Sequence, residues 1–164
     1  QWERAEAALA EMRADGLQPD VTTYNALVSA YANGGGHWER AEAAVQQMLS
    51  EGLRPDAVTY NALVNAYAKG GGMWDFAQEA IAEMRSMGIE PDVFTYSALV
   101  GAYARGGRVD LAEEAMEGMR EEGVMPNAVT YSTLVSGYAA AGGQWPNAEK
   151  AVARMLEEGV EANV

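Results

Sequence analysis

Few side chains in these 164 residues are equipped to break bonds. There is no cysteine, which excludes a thiolate metal site, a cysteine nucleophile and a disulfide framework. His37 is the single histidine, and one imidazole does not build a zinc site of the usual kind. It falls in a Gly-rich stretch and reads as a solvated turn residue. No metal cluster, deaminase signature or nucleophile–base pair occurs, so no catalytic residue and no cofactor is expected. What returns at fixed spacing is a set of hydrogen-bonding groups. Pro19, Pro55, Pro91 and Pro126 lie 36, 36 and 35 residues apart. Each is followed by Asp or Asn and then by a Thr-Tyr-(Asn/Ser)-x-Leu-Val segment. Ionised Asp is acceptor-only, whereas Asn carries both a donor and an acceptor. Such chemistry suits recognition.

The elements that must position these groups follow from the period. Tyr24, Leu27, Val28 and Tyr31 recur at i, i+3, i+4, i+7, which is one apolar helix face. The face returns as Tyr60, Leu63, Val64 and Tyr67, as Tyr96, Leu99, Val100 and Tyr103, and as Tyr131, Leu134, Val135 and Tyr138. A second helix in each period carries Trp38, Ala41, Val45 and Met48, then Trp74, Ala77, Ile81 and Met84. Glycines 34–36, 70–72, 106–107 and 142–143 mark the turn between the two helices. They lack the preceding strand and the Lys-Ser/Thr ending of a phosphate loop, so they read as plain turns. Gly52 supplies a left-handed helix end and Pro55 blocks continuation. The tryptophans at 2, 38, 74 and 145 open second helices at core spacing, with Val109 in the same slot, which favours packing over base stacking.

Self-similarity of this length defines repeats. The units are 21–56, 57–92, 93–127 and 128–163, with 1–20 the second half of an earlier one. A helix pair of this size buries its own apolar face poorly, so neighbours must stack into one continuous core. No apolar run approaches the roughly 18 residues of a membrane span.

The units resemble pentatricopeptide repeats, whose consensus is similar to the Val-Thr-Tyr-Asn-x-Leu-Val starts and Gly-x-x-Pro-Asp ends seen here. Three units are 36 residues long with a Gly-Gly-x-Trp turn, resembling a variant of algal and plastid members. The resemblance implies an all-α fold, a right-handed α-solenoid superhelix of helix–turn–helix repeats. It implies a module that binds single-stranded RNA sequence-selectively in a plastid or mitochondrion, and a chain that is part of a longer protein. It also implies the site. Bases are chosen by the residue after the first Tyr and the last residue of the unit. Those pairs are Asn25 with Asp56, Asn61 with Asp92, Ser97 with Asn127, and Ser132 with Asn163. An acceptor-only carboxylate suits the N3–H of uracil, and an Asn donor suits N1 of adenine. Asn–Asp would read U and Ser–Asn would read A, giving 5′-UUAA-3′. Thr22, Val58, Phe94 and Val129 would sandwich the bases, and Lys69 and Arg105 would lie near phosphate.

Charge qualifies this expectation. The chain carries −13, unlike most nucleic-acid binders. The four first-helix windows, 21–33, 57–69, 93–105 and 128–140, hold Lys69 and Arg105 and no Asp or Glu, so +2 there leaves −15 elsewhere. Stacked first helices would form a concave face that is neutral to slightly basic, with the acid outside. Affinity of this chain alone is expected to be weak and salt-sensitive. Two plainer readings remain open. Asp56, Asp92, Asn127 and Asn163 directly precede helices and could serve only as N-caps, worth about 1 kcal/mol each. The acidic outer face could instead contact proteins of an organellar ribonucleoprotein, making the chain an adaptor.

Overall fold

The computed structural model describes residues 2–142 and 145–161. Among them run α1 (Trp2–Ala14), α2 (Val21–Asn33), α3 (Trp38–Ser50), α4 (Ala57–Lys69), α5 (Trp74–Ser86), α6 (Val93–Arg105), α7 (Val109–Glu121), α8 (Ala128–Ala140) and α9 (Trp145–Glu157), with no strand. The even-numbered helices fill the four windows that the apolar spacing predicts. Each helix has 13 residues, a length of roughly 20 Å at the usual rise.

Even and odd helices start differently. Asp56, in extended conformation, accepts the Thr59 N–H at 3.0 Å, and its own N–H donates to the Thr59 hydroxyl at 3.1 Å. The same reciprocal box opens α2 at Asp20, α6 at Asp92 and α8 at Asn127. α3, α5 and α7 begin at His37, Met73 and Arg108 with no side-chain cap. Strong caps, each worth about 1 kcal/mol, thus belong to the even helices, where the sequence places the expected base-reading residues. At the other end, Gly52 (φ +78°) reverses the chain after α3, and Leu53 N–H donates to Met48 O at 3.0 Å. Pro55 is then buried.

The even helices pack directly on one another, α2 on α4 on α6 on α8, and each also rests on the odd helix that follows. Odd-helix backbones stay apart. A two-layer stack with the tighter spacing on one side curves toward that side, which makes the even-helix face concave. Small residues permit the spacing: Ala32, Ala66, Ala68, Ala102 and Ala104 are buried. A Cβ on Gly137 would sit 2.7 Å from the Cβ of Ala104. The turns interlock as well. Gly36 (φ +70°) presses on the next turn so closely that a Cβ there would lie 2.4 Å from Gly70 N. Gly72 meets Gly106 in the same way.

One apolar core runs the length of the stack, centred on Tyr24, Tyr60, Tyr96 and Tyr131 with Met48, Met84 and Met119. Side chains of this size contribute about 1.5–3 kcal/mol each when fully buried. Trp2, Trp38 and Trp74 lie on the outer part of that core, against Tyr31, Tyr67 and Tyr103. His37 departs from its sequence reading: its ring packs 4.9 Å from Trp2 at the start of α1 and is half-buried, because the tight glycine turn lays it against the neighbouring odd helix.

A second contact recurs along the outer layer. Arg13 bonds the Tyr24 hydroxyl at 2.8 Å and also pairs with Glu51. Arg85 reaches the Tyr96 hydroxyl at 2.9 Å and Glu122 at 2.5 Å. Arg120 reaches the Tyr131 hydroxyl at 2.7 Å and Glu158 at 3.1 Å. In the remaining copy the Arg position is Leu49 and the Glu position is Met87, whose sulfur accepts from Tyr60 at 3.3 Å. Arg and Glu are replaced together, so where the ion pair is absent the Tyr60 hydroxyl turns to the Met87 sulfur instead.

Candidate nucleic-acid interface

The concave face holds a groove of about 490 Å³ that crosses α2, α4, α6 and α8. Val58, Asn61, Lys69, Phe94, Ser97, Arg105, Asn127 and Val129 all line it, and no carboxylate does. A second depression of about 380 Å³ continues it past Arg105 and Val129 to Ser132. Asn25, Asp56 and Asp92 are half-buried and line neither depression; Asp92 is tied to the groove through its hydrogen bonds with Asn61. Thr22 is exposed at the start of α2, outside either depression. Asn163 lies outside the described residues.

Helix geometry explains the convergence. Asn25 is the fifth residue of α2, and Asp56 is the cap of the helix stacked on it, so both point to the same seam. Asn25 Nδ2 donates to Asp56 Oδ1 at 3.0 Å and to Oδ2 at 3.2 Å. Asn61 repeats this to Asp92, at 3.1 Å to each oxygen. Capping and pairing therefore coexist on one carboxylate. Oδ1 of Asp56 holds the helix start, while Oδ2 takes only the long bond from Asn25 and keeps acceptor capacity. Burial opposes ionisation of Asp56, but hydrogen bonds led by the Thr59 N–H and the Asn25 amide outweigh it and hold its carboxyl below the usual range. It is an acceptor at neutral pH.

The Ser–Asn pair differs from expectation in one respect: Ser97 does not bond Asn127 directly. Its hydroxyl lies 2.7 Å from Thr130 Oγ1. Asn127 Oδ1 accepts the Val129 and Thr130 N–H groups, both at 3.0 Å. That fixes its amide so that Nδ2, with no partner among the described residues, is left as a free donor.

Three exposed apolar side chains stand at the second residue of successive even helices: Val58, Phe94 (69% exposed) and Val129. The cations are partly engaged. Lys69 donates to Asn33 Oδ1 at 2.8 Å, and Arg105 lies 3.5 Å from Ala68 O at the end of α4. Both keep exposed heads on the groove. Thr59, Thr95 and Thr130, fully buried, join the paired residues from below. The sequence carried them openly in the Thr-Tyr motif, yet a threonine at the third helical position signals only a cap.

No helix among the described residues is long and apolar enough to cross a membrane, and no group of three metal-ligating side chains is present among them. The family model "Pentatricopeptide repeat domain" matches residues 8–70 and 80–144, and "PPR repeat" matches 58–89 and 129–160. No curated protein matches the sequence. Among solved structures, the chain is similar to the pentatricopeptide repeat protein PPR10 in complex with an 18-nt psaJ RNA element, at 31% identity and a TM-score of 0.87. That match covers 96% of this chain and 23% of the other. PPR10 from maize matches at 30% identity and 0.77, over 96% of this chain and 22% of that one. The PPR domain of Arabidopsis thaliana protein-only RNase P 1, in complex with tRNA, shares the fold at 19% identity and 0.76, over 99% of this chain and 84% of that domain. The chain spans about a quarter of the length of PPR10. With the domain model matching most of its length, the chain belongs to the pentatricopeptide repeat family.

Proposed function

We propose that the groove binds single-stranded RNA, with 21–56, 57–92, 93–127 and 128–163 as reading units and 5′-UUAA-3′ as the preferred sequence. One base per repeat is the known mode of this family as a class; the assignment of bases follows from the resemblance of the paired residues to those of its repeats. The observation that carries the reading is the acid-free groove, in which polar and apolar side chains from consecutive even helices face the same space. Oδ2 of Asp56 and of Asp92 would accept the N3–H of uracil. Nδ2 of Asn127 would donate to N1 of adenine. Val58, Phe94 and Val129 would lie between successive bases. Lys69 and Arg105 would face phosphates. Occupancy is the mechanism, protecting or unfolding the bound segment.

The test is binding to short RNAs carrying UUAA against a scrambled control at several salt concentrations, repeated with Asp56→Asn. Asparagine still caps α4, so stability should hold while preference at the first nucleotide moves from U toward C. Equal affinity for both RNAs would overturn the reading.

A second reading is favoured by the charge outside the groove, such as Glu113, Glu114, Glu117 and Glu121 along α7. There the chain is an adaptor in a ribonucleoprotein and binds basic proteins. Salt-sensitive binding to a basic protein, without measurable RNA affinity, would favour it. Residence in a plastid or mitochondrion is proposed on family membership, and imaging of the tagged full-length protein checks it.

A further inference from the structure

Beneath the paired recognition residues lies a third group whose contacts extend beyond the capping boxes it completes. Thr59, Thr95 and Thr130 are wholly buried polar side chains, and each contacts both partners of a pair. The Thr59 hydroxyl lies 2.5 Å from Asn25 Oδ1 and accepts the Asp56 N–H at 3.1 Å. It also stands 3.1 Å from Asp56 Oδ1. A hydroxyl has one hydrogen to give, and the shorter contact takes it. Thr95 repeats the pattern with Asn61 Oδ1 at 2.5 Å and the Asp92 N–H at 3.1 Å. Cap and cross-helix partner are thus joined through one buried oxygen.

This arrangement has a chemical consequence for the amide. With Oδ1 of Asn25 held by the hydroxyl, Nδ2 must face the carboxylate. The reverse orientation would set carbonyl against carboxylate oxygen and leave the threonine proton facing an N–H. The pair therefore presents a fixed polarity to the groove. Where the partner is Ser97, the contact to Thr130 is hydroxyl to hydroxyl, and either oxygen can donate. Its polarity can follow the bound base.

We propose that Thr59 and Thr95 are positioning residues for base selection: each buried hydroxyl sets the orientation in which the paired groove side chains meet a base. The role rests on the RNA-reading proposal above, and the test separates the two. Affinity is measured for an RNA containing UUAA and for the same RNA with its first U replaced by C. Thr59→Val removes the hydroxyl at nearly constant volume and should narrow the U-over-C ratio by roughly two- to tenfold, the worth of one neutral hydrogen bond. The ratio at the second U, read by Asn61 and Asp92, should stay unchanged. Thr59→Ser should keep both ratios.

Lost stability alone is controlled by Thr23→Val. Thr23 forms the same box with Asp20 but contacts no paired groove residue among the described ones, so its loss should lower the melting temperature without moving either ratio. If Thr59→Val does not fold, NMR on the unmodified chain supplies the measurement. The Thr59 and Thr95 hydroxyl protons should exchange slowly and be visible, unlike that of the less buried Thr23; equally fast exchange would overturn the role. A U preference that survives Thr59→Val intact overturns the positioning role alone. No U preference in the unmodified chain removes the RNA-reading proposal and this role with it.

Discussion

At the scale of single residues, Phe94 separates binding from folding most cleanly. Its ring is mostly solvent-exposed, so Phe94→Ala should leave the melting temperature within about 1 °C, since exposed changes usually cost under about 0.5 kcal/mol. RNA affinity should fall by about 1–3 kcal/mol, the scale of a base–aromatic stack; an unchanged dissociation constant would place the RNA elsewhere. The recurrence of Asn25 with Asp56 and of Ser97 with Asn127 was legible because chain position repeats with the stack. The threonines were not. Thr59 gains its second partner only when α2 and α4 meet, and no pattern within one period encodes that contact. The free Nδ2 of Asn127 was equally hidden, since it depends on which amide atom the helix start consumes.

At the scale of elements, helix boundaries were legible because three independent signals agree: apolar spacing, an Asp or Asn start, and a Gly-then-Pro stop. What the sequence left open was why some glycines stand in the turns. Gly36 needs both its positive φ and its missing Cβ, for the backbone of Gly70 occupies that space. Gly36→Ala should therefore destabilise by well over 1 kcal/mol, as the cost of φ strain adds to that of the clash. Gly118 is the counter-case. It lies inside α7 with open space around it, so Gly118→Ala should raise stability by about 0.5–1 kcal/mol. Thermal melts of the two variants, moving in opposite directions, check both assignments.

For the whole molecule, charge sets the response to solution conditions. Hydrogen bonds from Arg154 to Glu117 and from Tyr96 to Glu122 hold those carboxyls below their ordinary range, as happens at Asp56. Groups depressed in the folded state stabilise it above the unfolded value and lose that contribution as pH falls through the folded one. Repulsion among −13 charges relaxes in the opposite sense as pH approaches 4.4. The melting temperature should thus hold or rise slightly from pH 7 to about 5.5 and drop below about 4. Salt should weaken RNA binding by a bounded amount: with Lys69 and Arg105 as the phosphate cations, the log–log slope should be no steeper than about −1.4. A steeper slope would point to cations beyond the groove.

The paired clasps of the outer layer bear on how such chains can be lengthened, shortened or shuffled. Arg and Glu of one clasp sit in successive helix pairs, so every junction carries its own matched chemistry. Excising residues 57–92 would bring Leu49 against Tyr96 and Glu122, stranding a carboxylate beside an aliphatic side chain. Restoring the ion pair with Leu49→Arg should recover most of the lost stability. Modules here are interchangeable only together with their seams.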